Sequence, residues 1–153
     1  MKIIYNNWFP FGNYTTINLF GILISKDKSL DKKEINHESI HTAQFKELAC
    51  VGLLLTLALD LLIDIPFWSY FLGLSLFYIW YGIEYVIIRF YHVKQGDTYH
   101  DVSFEEEAHN NDDNLDYLNN RMPLSWIKHI KVKSKWENKS GKLDHVIWFQ
   151  KMN

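Results

Sequence analysis

Two of the seven histidines fall four residues apart, with a glutamate directly after the first: His37-Glu38-Ser39-Ile40-His41. On a helix, positions i and i+4 share a face, so both imidazoles can reach one metal ion. Glu38 then projects beside the ion's open position, where it can act on a bound water. A catalytic centre of this kind takes three protein ligands and leaves a fourth place for water. The run Ser103-Phe104-Glu105-Glu106-Glu107-Ala108 supplies candidates for the third. A helix drawn through it has an inward stripe of Phe104, Ala108, Asn111, Leu115 and Leu118. Glu107 lies nearer that stripe, Glu105 is the alternative on its other side, and Glu106 points away. A run of three glutamates is otherwise read as a solvated helix face. Hydrolysis also needs a donor for the developing oxyanion, and Tyr99 or His100, just before this helix, are the candidates.

The elements that must position these residues follow from the pattern around them. Asp27, Ser29 and Asp31 offer N-caps for the histidine helix, and Gln44 and Glu47 continue it towards an apolar segment. Leu48–Ile65 and Phe67–Ile88 are two apolar runs separated by Pro66. As helices they would span roughly 27 and 33 Å, against about 30 Å for a bilayer core. A two-helix excursion returns the chain to where it left, so the histidine pair and the glutamate cluster lie at the same end of this hairpin. The lengths predict a transmembrane hairpin; the other reading is a hairpin buried in a soluble cytoplasmic protein. The lysines and Arg89 lie on the side of both termini, and the turn Asp64-Ile65-Pro66 has no base. The positive-inside rule then predicts an inner (cytoplasmic) membrane protein with termini and site facing the cytoplasm. Membrane lipid is the partner this implies.

The flanks are different in kind. Lys2–Tyr5 and Thr15–Ser25 are β-rich and are separated by the turn sequence Pro10-Phe11-Gly12-Asn13, which predicts a hairpin or small sheet. By charge, residues 95–120 carry eight acids and no base, whereas 121–153 carry eight bases and two acids. Residues 131–153 read as a basic, Trp-containing tail or hairpin, suited to an anionic lipid surface or to the acidic segment. With 153 residues and a net charge of −2, the chain is one domain without a nucleic-acid signature. One cysteine excludes a disulfide framework and a cysteine-rich zinc site. Nothing near Met1 resembles a signal peptide.

The chain resembles small bacterial proteins that combine an INLFGI strand, an NHExIH helix and an SFExEA helix. Here these are Ile17–Ile22, Asn36–His41 and Ser103–Ala108, and the resemblance covers residues 1 to about 130. More distantly it is similar to membrane-embedded gluzincin metallopeptidases, the CAAX-processing, heat-shock and BlaR-type sensor proteases. That resemblance implies zinc, cytoplasmic-side chemistry, a peptide or protein substrate, and an edge strand within Asn18–Ile24 that pairs with extended substrate. Those families often carry Asp four residues after the ligand glutamate. This chain has Asn111 after Glu107 and His109 after Glu105.

The expected fold is mainly α with a small N-terminal β-element (α+β). Residues 1–130 form one metallopeptidase-like domain around the apolar hairpin 48–90, with 131–153 as a tail. The expected function is zinc-dependent peptide hydrolysis. His37, His41 and Glu107 or Glu105 are the ligands, Glu38 is the general base, and Tyr99 and His100 are the donor candidates. The alternative is a non-catalytic, membrane-associated metal-binding or structural module.

Overall fold

The computed structural model describes residues 1–12, 14–91 and 98–130; the basic tail, 131–153, lies outside them. Three short strands come first: β1 (Lys2–Tyr5), β2 (Thr16–Leu19) and β3 (Ile22–Ser25). Their order is β1-β3-β2, with β1 parallel and β2 antiparallel to β3. The β2–β3 turn is Phe20-Gly21, with φ of 53° and 78°. Two positive φ values give the turn the twist that a two-residue hairpin needs. Gly21 is required for a second reason, since a Cβ there would lie 3.1 Å from Thr42 Cγ2. The turn is docked by Phe20, whose N–H donates to Tyr78 Oη at 2.6 Å and whose ring packs on Phe45.

Helix α1 runs unbroken over Lys32–Ile63. Asp31 and Glu34 form a reciprocal capping box at its start: Glu34 N–H donates to Asp31 and Asp31 N–H to Glu34. At its other end Asp64 adopts the left-handed conformation, and Pro66 follows. The metal motif and the first apolar run therefore share one rod. The second apolar run does not form one helix. It divides into α2 (Ser69–Leu74) and α3 (Leu76–Tyr91), broken at Ser75. Helices α1 and α2 meet at a glycine pair, where a Cβ on Gly52 would lie 2.1 Å from Gly73 O.

The transmembrane hairpin expected over 48–90 is not what these segments form. Among the described residues, no helix is long and apolar enough to cross a membrane. The uncharged part of α1 begins after Lys46 and Glu47, is interrupted by Asp60 and ends at Ile63. That leaves about 24 Å of apolar helix, short of a bilayer core. Helix α3, of 16 residues, is about as long. The inner-membrane placement, with the site on the cytoplasmic side, loses its basis with the spans. The outer half of α1 and the turn that follows it nonetheless carry exposed apolar side chains, among them Leu54, Leu61 and Phe67.

The core sits at the other end, near the site. Phe45, Leu48, Phe77, Ile88, Val102, Phe104 and Trp126 form one buried cluster drawn from α1, α3 and the chain around α4 (Ser103–Asn111). Helix α5 (Tyr117–Asn120) and a 3₁₀ turn, Ser125–His129, close over α4, with Trp126 packed on Phe104. The fold is mainly helical with a small N-terminal sheet, as the sequence leads one to expect.

Candidate metal centre

Helix α4 presents the candidate third ligand, and two other helices hold α4 in place. Its N-terminus lacks a side-chain cap of its own. Glu84 of α3 substitutes, accepting from Ser103 N–H at 2.9 Å and Ser103 Oγ–H at 2.7 Å. A carboxylate is the favoured partner for the orphan N–H groups and the dipole at a helix start. At the other end, Asn36 Nδ2 lies 3.0 to 3.1 Å from the carbonyls of Asn111, Asp112 and Asn114. Asn36 precedes His37, so the residue that anchors the end of α4 also sets the first imidazole against it.

The result is a triangle of donor atoms. His37 Nε2 and His41 Nε2 are 3.0 Å apart, and each lies 3.4 Å from Glu105 Oε2. Tetrahedral zinc with bonds near 2.0–2.1 Å places its ligand atoms about 3.3 Å from one another. A point equidistant from the three atoms lies about 1.9 Å from each, so an ion just above their plane meets ordinary bond lengths. All three side chains are buried. Glu105 Oε2 is buried without a hydrogen-bond partner, a costly state for a carboxylate oxygen unless a cation completes it.

The surroundings orient these groups. His41 Nδ1 lies 2.8 Å from Gln44 Oε1. Gln44 Nε2 donates to Glu107 Oε2 at 2.9 Å and to the Phe104 carbonyl at 3.1 Å. The amide is therefore turned with its oxygen towards His41, which fixes a proton on Nδ1 and aims Nε2 at the triangle. Glu105 Oε1 accepts from Tyr81 Oη–H at 3.2 Å. Burial lowers the His41 pKa, but the Glu105 carboxylate more than offsets it, and the net effect raises His41 to about 9. Burial opposes the ionisation of Glu105, yet the two imidazoles hold its carboxyl well below the usual carboxylate range. This strong mutual attraction is what a cation placed among the three would replace.

The structure sets Glu105, not Glu107, beside the histidine pair. Glu107 is fully buried in a separate arrangement: it accepts from Arg121 Nε–H and Tyr117 Oη–H, each at 2.7 Å. Arg121 also binds Glu47 of α1. Burial raises the Glu107 pKa, but the hydrogen bonds from Arg121, Gln44 and Tyr117 and the Arg121 charge together outweigh it, and the net effect lowers it. Glu106 does not point to solvent; it is 4% exposed, with Oε1 3.9 Å from His129 Nδ1. The acidic run is thus buried on every side rather than a solvated face.

Glu38 lies half-buried on the adjoining turn of α1, close enough for its charge to act on His41 and Tyr99. The Tyr99 residue is 40% exposed, but desolvation at its hydroxyl end and then the charge of Glu105 push the phenol well up, and it stays protonated. Tyr99 therefore stands near the triangle as a donor. His100 instead packs on His109, with ring centroids 4.6 Å apart. Burial, then the neighbouring His37, takes the His109 pKa down to about 3, so its imidazole is neutral.

Several residues escaped the sequence reading. Asn36, Gln44, Glu84 and Arg121 act through partners 14 to 78 residues away, which spacing cannot reveal; the contact of Gln44 with His41, three residues back, is local. Asp112 carries a faint signal, since it lies three residues beyond His109 on the same helical side. Its Oδ2 lies 3.5 Å from His109 Nδ1 and 4.0 Å from His37 Nδ1.

Comparison with protein-family models, curated proteins and solved structures finds no match to this chain. The functional reading therefore rests on the site itself.

Proposed function

We propose that this chain binds a divalent ion of the zinc type through His37 Nε2, His41 Nε2 and Glu105 Oε2, and that the ion ties α1 to α4. One observation carries this reading. Three buried donor atoms, one of them without a hydrogen-bond partner, stand at the separations of a tetrahedral metal site. Two imidazoles and one carboxylate are a donor set that suits zinc. An ion there would join two helices whose ligands are 64 or more residues apart in sequence, so its binding energy would add to folding stability. The test is the metal content of protein purified without chelators, compared with the His37→Ala/His41→Ala double variant and with Glu105→Gln. About one zinc per chain, lost in both variants, supports the site; equal metal content in all three rejects it.

A second reading, zinc-dependent peptide hydrolysis, is favoured by the place of Glu38. Three protein ligands leave a coordination position for water, whose pKa a bound zinc would lower to about 7. Glu38 would take the proton of that water and pass it to the leaving amine. Tyr99, protonated and beside Glu105, would donate to the carbonyl oxygen as its charge develops. Glu38→Gln separates the two readings. Under the hydrolytic one, it keeps the metal and abolishes cleavage of an unfolded protein substrate. If the wild type holds zinc and cleaves no unfolded or extended peptide, the metal-binding reading stands alone.

A further inference from the structure

The His37 ring has two nitrogens, and the site above uses one. Its Nε2 faces Glu105 Oε2 at 3.4 Å, while its Nδ1 faces Asp112 Oδ2 at 4.0 Å. His109 repeats the arrangement: Nε2 lies 3.9 Å from Glu105 Oε2, and Nδ1 lies 3.5 Å from Asp112 Oδ2. The two imidazoles sit side by side, ring centroids 4.5 Å apart, between the same two carboxylates. We propose that His37 Nδ1, His109 Nδ1 and Asp112 Oδ2 form a second divalent-cation site, sharing His37 with the first. His37, His109 and Asp112 each offer one ligand atom within 4.8 Å of the others.

Charge argues for a second cation. Asp101, Glu105, Glu106, Glu107 and Asp112 are all at most 6% exposed. Arg121 is committed to Glu107 and Glu47. Lys33 reaches Asp112 from a side chain 45% exposed, and it takes Oδ1, at 3.2 Å, rather than the oxygen facing the imidazoles. A buried carboxylate oxygen such as Asp112 Oδ2 is costly unless a cation or hydrogen bonds offset its charge. A divalent ion on Oδ2 would offset the charge that Lys33 reaches only from the surface.

The second triangle is looser than the first. Its carboxylate edges, 3.5 and 4.0 Å, exceed the about 3.3 Å of tetrahedral zinc. The second ion therefore binds more weakly and fills after the first. Loading both nitrogens of His37 requires the ring to lose its Nδ1 proton to solvent and bridge the two ions as imidazolate. The second binding step thus releases that proton.

The inference rests on the first centre only through the shared ring. The experiment titrates the full chain with zinc alone and reads stoichiometry by elemental analysis and proton release by calorimetry in buffers of different ionisation heat. The wild type is expected to take up about two ions in two steps. Asp112→Asn and His109→Gln should each keep the tighter ion and lose the weaker. His41→Ala should do the reverse, losing the tighter ion and retaining one on His37, His109 and Asp112. Circular dichroism confirms that each variant is folded, and the wild-type stoichiometry decides the matter even if one is not. A wild type that saturates at one ion, or Asp112→Asn and His109→Gln proteins that still take up two, overturns the second site alone. A wild type that binds none overturns the first centre with it.

Discussion

At the residue scale, Gln44 controls the state of a ligand it does not replace. Its amide is fixed by Glu107 and the Phe104 carbonyl on one side, so its oxygen faces His41 Nδ1. Losing such a partner typically weakens metal binding by 10- to 100-fold. Gln44→Ala should therefore weaken zinc binding by about that factor, measured by competition with a chromophoric chelator. Unchanged affinity would mean that α1 packing alone orients the imidazole. Arg121 acts on stability instead. Its guanidinium is buried between Glu107 and Glu47, and removing one partner of a buried pair costs roughly 3–5 kcal/mol. Arg121→Leu should lower unfolding stability by that order in denaturant titration of the metal-free chain.

At the element scale, two contacts set the helices. The Gly52–Gly73 crossing leaves no room for a methyl group, as a Cβ on Gly52 would lie 2.1 Å from a carbonyl oxygen. Alanine gains up to about 1 kcal/mol of helix propensity over glycine, whereas overpacking costs about 1–3 kcal/mol. Crowding against backbone wins, so Gly52→Ala should destabilise the chain, read as a lower denaturation midpoint. The second contact is Glu84 at the start of α4. Burial raises the Glu84 pKa, and the two Ser103 hydrogen bonds only partly offset it. A carboxyl raised in the folded state contributes stability that is fully present below its unfolded pKa, 4.5. That contribution is lost as pH rises through the higher folded pKa. The Tm of the wild type minus that of Glu84→Gln should therefore shrink from pH 4 to pH 7. A gap independent of pH would show that Glu84 is not held in the way described.

At the scale of the whole molecule, the glutamates of α4 turn inward, and Arg121 and Lys33 meet Glu107 and Asp112. Helix α4 packs between α1 and the 3₁₀ turn, and its residues from Ser103 to Ala108 are all buried. A zinc ion at 100 times its dissociation constant would stabilise this arrangement by about 2.7 kcal/mol. For a domain of this size that is a rise in Tm on the order of 10 °C. Chelation should remove the rise, and the His37→Ala/His41→Ala protein should not show it.

The sequence by itself determined what is local. The i, i+4 histidines had to share a helix face, and the helix that carries them had its N-cap candidates in Asp27, Ser29 and Asp31, because both follow from helical geometry within a few residues; the structure uses Asp31. The small β-element and the helical character of the rest were legible in the same way. What only the tertiary structure decided was which glutamate joins the pair. A periodic stripe through Phe104, Ala108, Asn111, Leu115 and Leu118 favours Glu107, but α4 stops at Asn111 and every residue from Ser103 to Ala108 is buried, so there is no single inward face to extrapolate. Arg121 draws Glu107 aside, Glu84 and Asn36 fix the ends of α4, and Glu105 is left facing the imidazoles. The lengths of the apolar runs were equally misleading. Hydropathy does not record where Ser75 breaks a helix. Local propensities act over a few residues, whereas ion pairs and caps between distant segments are decided only when the helices pack.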